Sequence, residues 1–471
     1  MAGISAVRSP DLVFLFRFPI PRWREGGEIF HFKFSQVNIL CHIIIVIVLL
    51  SAIGPAAADE EAKPEDWERR LEMLRSVPYL AFSRSEAGEV DSSVAVYLPE
   101  LAWDGYNFFN SLTFGSARLF DMRGREVHRW RLPPAGEDEP GGTDFAFLLN
   151  DGDLMIIRKE SRLMRIDRGS ELLWQRDLPV HHDVARAPDG TFYALYRELK
   201  MYRGLRVHFC GIIHLDADGE EIGRWSTFEH LEDISAALDT RSFMDTILDS
   251  VVQGWSPQGH ELDAVRTAEK PGGQPYDYFH MNTVSVLPAN TLEREDERFR
   301  AGNLLVCFRN VNQIAVLEKD TYRVLWAWGE GRLQWPHYPT LLENGHLLIF
   351  DNGVRRRYSR VVEVDPLTGA IVWSYQGTPR ESFFSFGKGS AQRLPNGNTL
   401  ICNSDQGQVF EVTAEGRTVW LWWNPFVRNG RREALYRMIR WSGEALESWL
   451  PNSESGKTME PPRKGDRSGG P

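Results

Sequence analysis

A strand ending on tryptophan behind an acidic or polar turn recurs six times along this chain, and the recurrence restricts the fold more than any short motif does. The copies read DMRGREVHRW, IDRGSELLW, LDADGEEIGRW, EKDTYRVLW, DPLTGAIVW and TAEGRTVW, ending at Trp130, Trp174, Trp225, Trp326, Trp373 and Trp420. Their spacings are 44, 51, 101, 47 and 47 residues. One four-stranded propeller blade takes roughly 40–50 residues, so four of the five intervals each fit one blade. The long interval holds either a degenerate seventh blade or an insertion. Within it, FEHLEDISAALDTRSFMDTILDSVV spaces its apolar residues three and four apart, the period of a helix rather than a strand. The expectation is an all-β, six-bladed β-propeller over residues 105–425, with a helical insertion at about 227–270. The outer-strand tryptophans are expected to wedge neighbouring blades together.

The flanks read differently. Ile39 to Ile53 is an apolar run followed by Pro55 and Ala56-Ala57-Ala58. It is shorter than the roughly 20 apolar residues that span a bilayer, and its small-residue ending is that of a cleaved export signal. Residues 1–58 are therefore expected to be a signal peptide, or an anchor if uncleaved, and the protein to be periplasmic or secreted. A short helix at Pro64–Leu74 within a 59–104 linker, a helical segment over 426–450 with a helix pair from Arg431 to Leu450, and a disordered tail at 451–471 complete the expected organisation.

Charge and cysteine usage exclude some functions. Removal of residues 1–58 leaves 49 basic and 62 acidic side chains, a net charge of −13. That balance does not suit a general nucleic-acid binder, so any anion site must be local. Cys210, Cys307 and Cys402 remain, an odd number at blade-scale spacing with no C-x-x-C pair. Buried free thiols are expected, with no disulfide framework, metal or cofactor.

Blade grammar locates the polar residues. In HYPTLLENGHLLIFDNGVRRRYSRVVEVDPLTGAIVW, the Asn344-Gly345 and Thr368-Gly369 turns separate alternating strands, which makes them hairpin turns. The loop before a blade's first strand and the loop after its second then share the opposite face of the disc. Counting seven residues from each first hairpin glycine gives Lys159 beside Arg158, Arg197, Arg309, Asn352 and Ser404. The openings of the first strands supply His182, Asn282 with His280 two residues ahead, His337 and Gly389. A lone arginine after a strand is usually a solvated surface charge, and a lone histidine in a strand is usually a satisfied core group. Recurrence at one blade position in an acidic protein points instead to an anion-binding mouth, because guanidinium groups match phosphate, sulfate and carboxylate. Histidine adds an acid, base or nucleophile near neutral pH.

The strings FHMN, WPHYPTLLENGHLLIFDNG, SRVVEVDPLTGAIVW and RLPNGNTLICNSDQGQVFEVTAEGRTVW resemble the arylsulfotransferase family of exported bacterial propeller enzymes, from about Gly105 to Pro425. The resemblance implies nucleotide-independent transfer of a sulfuryl group from a phenolic sulfate ester to a phenol, through a sulfohistidine. It implies small-molecule aryl sulfate and phenol as partners, no nucleic acid, and membrane contact only through an uncleaved N-terminus. His280, His337 and Arg355 match catalytic positions, with Asn352, Arg309, Arg197, His182 and Asn282 as substrate-binding candidates. One departure stands out: the family's sulfated histidine lies in a later blade, yet no histidine follows His346 here, and the equivalent strand opening is Phe386-Gly387-Lys388-Gly389-Ser390. His337 or His280 then takes over as nucleophile, transfer is direct, or the protein is a non-catalytic propeller that binds an anionic ligand or a protein partner.

Overall fold

The computed structural model describes residues 81–86, 93–133 apart from 114, 144–240 apart from 159, Asp245, Leu248, and 275–450. All of them lie in one compact unit, residues 63–471. Six antiparallel sheets follow the tryptophan repeat. Blade 2 runs Asp144–Leu148, Leu154–Arg158, Arg162–Ile166 and Leu172–Asp177, each strand paired with the next. Blade 3 uses Val180–Arg186, Phe192–Tyr202, Leu205–Leu215 and Glu221–Ser226. Blade 4 uses Met281–Val286, Leu304–Phe308, Gln313–Leu317 and Val324–Trp328. Blade 5 uses Pro336–Leu341, Leu347–Asp351, Arg360–Asp365 and Ala370–Gln376. Blade 6 uses Ser390–Arg393, Thr399–Asn403, Gln408–Val412 and Thr418–Trp423.

Blade 1 closes the ring. Its outer three strands, Tyr106–Asn110, Ser116–Phe120 and Glu126–Arg131, come from the beginning of the propeller, but its innermost strand is Ile439–Trp441 from the other end of the chain. Val94–Tyr97 correspondingly adds a fifth, outer strand to blade 6. A toroid has an edge only where the chain starts and stops, and this exchange of strands removes it. The Arg431 to Leu450 segment is thus not a helix pair. It contributes Arg431–Glu433 to a small sheet and Ile439–Trp441 to blade 1, and is α-helical only over Gly443–Leu446. The open strand slot of blade 1 overrides the helical spacing of its apolar residues.

The tryptophans do join blades. Trp130 Nε1 donates to Gly152 O at 3.0 Å, Trp373 Nε1 to Ala414 O at 2.8 Å, and Trp420 Nε1 to Met122 O at 2.9 Å, each in a turn of the following blade. Trp225 stacks on Tyr322 of blade 4 with ring centroids 5.5 Å apart. At Trp130, Trp373 and Trp420 blade-to-blade contact is therefore paired with satisfaction of the indole N–H, whereas Trp174 Nε1 is buried without an acceptor.

Among the described residues, the long interval between Trp225 and Trp326 holds the first strands of blade 4 and a helix, and no further blade. Its described part includes the Leu231–Ala237 helix, whose Ile234 packs with Leu238 and Leu248 on the core shared by blades 3 and 4. The expected signal segment, the Pro64–Leu74 helix and the 451–471 tail lie outside the described residues. No helix among the described residues is long and apolar enough to cross a membrane.

At the seam, Arg440 is buried at 1 % exposure and ion-paired to Glu411 of blade 6. Its Nε also donates to Asn107 Oδ1 at 2.8 Å and its Nη1 to Trp103 O at 2.9 Å. Glu411→Ala leaves that guanidinium uncompensated in the interior and is expected to cost about 3–5 kcal/mol. A thermal melt of the purified variant checks this; an unchanged midpoint would contradict the seam as a stability determinant.

Candidate functional site

The first strand of each blade lines the axis, and the starts of these strands converge at one mouth of the channel. Blade 3 brings His181 and His182, blade 4 His280, blade 5 His337 and blade 6 Lys388, while Arg437 of blade 1 reaches the axis one layer deeper, at Asp183. The three histidine-bearing strands share a feature that no sequence pattern exposed. Each is bulged near its start, with register shifts between Val180 and Val184, Met281 and Thr283, and His337 and Thr340. Each also holds a non-glycine residue at positive φ: His182 at 60°, His280 at 50° and Tyr338 at 47°. Bulges re-aim side chains, and a left-handed non-glycine residue costs about 1 kcal/mol or more. Repetition of this strained device in three consecutive blades marks the mouth as more than packing.

Blade 3 also builds upward. Its second and third strands form an 11-residue hairpin, about twice the usual strand length, that extends on the histidine side. The extension recruits Tyr276–Asp277 as a parallel partner, with Asp277 opposite His208. Asp277 is thereby fixed three residues ahead of His280. Its Oδ2 lies 2.6 Å from His280 Nδ1, and its Oδ1 accepts the His280 backbone N–H at 3.1 Å. A carboxylate at Nδ1 places the ring proton there and leaves Nε2 as the lone-pair nitrogen. That Nε2 is buried without a hydrogen-bond partner.

His337 is held in the same tautomer by different groups. Its Nδ1 lies 2.7 Å from Asn352 Oδ1 and 3.0 Å from Trp335 O, two acceptors, and its Nε2 is likewise buried and unmatched. Asn352 is itself fixed, its amide nitrogen donating to Ser385 O at 2.7 Å and Lys388 O at 2.8 Å. Lys388, at 1 % side-chain exposure, is 2.9 Å from Asp405. It stands where a blade-wise count lands on Gly389, whose φ is 156° and where a Cβ would collide with the Phe350 ring. Blade 6 thus presents a lysine held by a carboxylate at its strand opening, and its carbonyls orient the Asn352–His337 pair.

His181 and His182 hydrogen-bond through their Nδ1 atoms, and the His182 ring meets His280 edge to face at 4.7 Å between centroids. Arg309 sits among these rings, with its guanidinium 4.1 Å from the Trp335 ring, two N–H groups on Asn310 Oδ1 at 3.0 and 3.1 Å, and 3 % exposure. Burial is the main cause that holds each of these imidazoles neutral. Desolvation pushes His181 down to about 3 and His208 and His337 down to about 4. His182 and His280 lie well below the usual histidine value from desolvation together with adjacent histidines and Arg309.

The remaining candidates divide. Asn282 is buried and bridges blades 4 and 5 through Pro336 O at 2.9 Å, and Ser404 hydrogen-bonds Tyr436 O at 3.2 Å. Arg197 lies on the extended hairpin in an ion pair with Glu160. Arg158 donates to Pro133 O at 2.6 Å, and Lys159 lies outside the described residues. Arg355 is exposed, with its backbone N–H on Gln334 Oε1 at 3.1 Å, so the guanidinium among the histidines is Arg309. Sequence reasoning missed His181, Asp277, Lys388 and Arg437. Asp277 lay hidden in a two-residue strand, and Arg437 in text read as helical. Among the described residues, no three His, Cys, Asp or Glu side chains are placed to hold a metal ion.

Neutral buried histidines tie stability to pH with a definite sign. Their folded values are depressed, so between about pH 6.5 and pH 4 the unfolded chain binds protons that the folded chain does not, and stability falls as pH falls. Each histidine removes on the order of 1.4 kcal/mol per pH unit across that window. Urea midpoints at pH 7 and pH 5 are expected to differ accordingly; equal midpoints would contradict a neutral cluster.

Solved structures with related topology are distant. A Bacteroides caccae protein of unknown function is 13% identical with a TM-score of 0.40, covering 72% of this chain and 99% of that one. A streptogramin B lyase is 10% identical at TM-score 0.37, covering 75% and 96%. The Cps50 (Swd1) propeller domain of Myceliophteria thermophila is 9% identical at 0.39, covering 75% and 99%. No curated protein matches the chain in sequence. The arylsulfotransferase (ASST) family model matches residues 146–425, more than half of the chain and five of its six blades. The chain belongs to the arylsulfotransferase family.

Proposed function

We propose that the protein transfers a sulfuryl group between an aryl sulfate and a phenol without a nucleotide donor, with His280 as the nucleophile. The observation that carries this reading is the Asp277–His280 bond of 2.6 Å, which leaves Nε2 neutral, desolvated and unmatched beside Arg309. His280 Nε2 attacks sulfur as the bond from sulfur to the aryl oxygen breaks, and the phenolate departs. The sulfated ring then carries positive charge, which the Asp277 carboxylate offsets through Nδ1–H. An acceptor phenol gives its proton to His337 Nε2, its oxygen attacks sulfur, and the sulfur–nitrogen bond breaks to restore the lone pair on His280. The proton on His337 then passes to solvent, where it balances the phenolate released in the first displacement, so the histidines end the cycle neutral. Splitting one displacement in two is the usual advantage of a covalent relay.

Arg309 holds the equatorial oxygens in this scheme, where charge develops in the transition state. Asn352 acts on His337 rather than on substrate, and Arg355 contributes at the outer rim. His182 and Arg197 shape the field around the anion, and Asn282 fixes the spacing of blades 4 and 5. Export to the periplasm or medium would follow from residues 1–58 as a signal peptide, or membrane anchoring through residues 39–53 if it is uncleaved.

Release of a chromogenic phenol from an aryl sulfate, with and without a second phenol, tests the proposal on residues 59–471. Acceptor-dependent release is expected, abolished in His280→Ala. Arg309→Ala is expected to lower kcat/KM by about 10²–10³, more than Arg355→Ala does. A labelled sulfo-enzyme trapped on a residue other than His280 would overturn the assignment, and no release across donors would favour an anion-binding propeller. The acid limb of kcat/KM is expected near pH 4, where His337 takes up a proton.

A further inference from the structure

The channel does not run through freely. One residue beyond His182 along the inner strand, Asp183 accepts from both terminal nitrogens of Arg437 at 3.2 and 3.3 Å. Arg437 also lies over the Tyr338 ring at 3.8 Å and the Phe147 ring at 5.6 Å. Blades 1, 2, 3 and 5 thus meet in a single layer across the axis. The histidines lie on one side of it. On the other side is a cavity of about 600 Å³, the size of small-molecule sites, walled by Phe147, Val184 and Val286 and rimmed by Arg186. It lies toward the hairpin turns at Asn150, Pro188 and Gly190, the face opposite the histidines.

The polar lining of this vestibule is one-sided. Arg437 has five N–H donors, of which Asp183 occupies two, and its side chain keeps 14 % exposure. Trp441 Nε1, also on a lining residue, has no acceptor. Arg186 at the rim pairs with Asp151 at 3.1 Å, but both are well exposed and the pair is weak. Among the described residues, no aspartate or glutamate lines the cavity. Surplus donors set among aromatic and aliphatic walls fit an acceptor-bearing guest, and guanidinium selects an anionic one.

We propose that the vestibule is a second ligand site, which takes a small organic anion with a flat apolar body. The anionic group lies against Arg437, and the body packs between Phe147, Val184 and Val286. This site is separate from the histidine mouth and does not depend on sulfuryl transfer.

Fluorescence titration of residues 59–471 with 8-anilinonaphthalene-1-sulfonate tests it. Saturable binding of one dye per chain is expected. Val286→Trp, which fills the cavity, should weaken it at least tenfold, and Arg186→Glu, which reverses the rim charge, at least threefold. Val286→Trp should leave phenol release from aryl sulfate unchanged. Dye binding indifferent to both variants, in proteins that melt like the parent, would overturn the proposal. So would dye affinity that falls in His280→Ala and is competed by aryl sulfate, since the dye would then report the histidine mouth. A chain without sulfotransferase activity that still binds dye in this pattern would sink the reaction and leave the vestibule standing.

Discussion

The ring depends on one buried ion pair. Arg440 arrives from the end of the propeller and Glu411 from the third strand of blade 6, and they meet between blades 6 and 1 with both side chains at 0 % exposure. Two isolated charges at such a site would be strongly destabilising, and here neighbouring groups meet most of their demands, with Arg440 Nη2 alone of the guanidinium nitrogens left without an acceptor. Glu411 accepts from the Trp103 backbone N–H at 2.8 Å and from Asn398 Nδ2 at 2.6 Å, and Arg440 lies over the Trp420 ring at 4.7 Å. Such a pair adds little net stability over an apolar contact, but it strongly penalises a wrong register. Ile439–Trp441 can enter blade 1 in only the register that delivers Arg440 to Glu411. Closure is therefore specific rather than merely adhesive.

Closure also builds the interior of the channel. Three residues before Arg440, Arg437 reaches Asp183, and Tyr436 donates its hydroxyl to His182 O at 2.7 Å. The strand that completes blade 1 thus fixes the backbone of a histidine in blade 3. The cluster of neutral imidazoles exists only when the ring is shut, because its desolvation comes from side chains that blades 1 to 6 bring together. Burial works against charging these rings, while Asp277 and Asn352 fix which nitrogen carries the proton.

Much of the architecture was legible because the repeat carries its own register. A tryptophan in each fourth strand marks every blade, a glycine in the first hairpin turn marks blades 2 to 6, and from these the histidine face follows by counting. His182, His280 and His337 were found that way, and they do share one mouth. What escaped were contacts between distant segments. Arg437 and Arg440 were invisible because a strand that fills a vacancy needs no strand pattern of its own; Ile439 and Trp441 suffice. Asp277 was missed because its two-residue strand pairs with a hairpin whose length no turn signal announced. The choice between Arg355 and Arg309 could not be made by matching a loop, since both follow second strands and only burial separates them.

The lysine at the opening of blade 6 bears on how this chain could dispense with a histidine there. A second imidazole nucleophile would need its own carboxylate or amide to fix the tautomer, and Asp405, the carboxylate at that opening, is committed to Lys388. Asn352, the neighbouring amide, is committed to His337 and to the carbonyls of Ser385 and Lys388. The orienting groups therefore converge on His337 and His280 and leave none for a nucleophile in blade 6. Of those two, His280 has a charged partner that can follow a change of charge on the ring, whereas His337 has only neutral acceptors. A ring that must become cationic when sulfated is better matched to Asp277, and a ring that takes up a proton only briefly is served by an amide and a carbonyl. The division of roles in the proposed reaction follows from that difference.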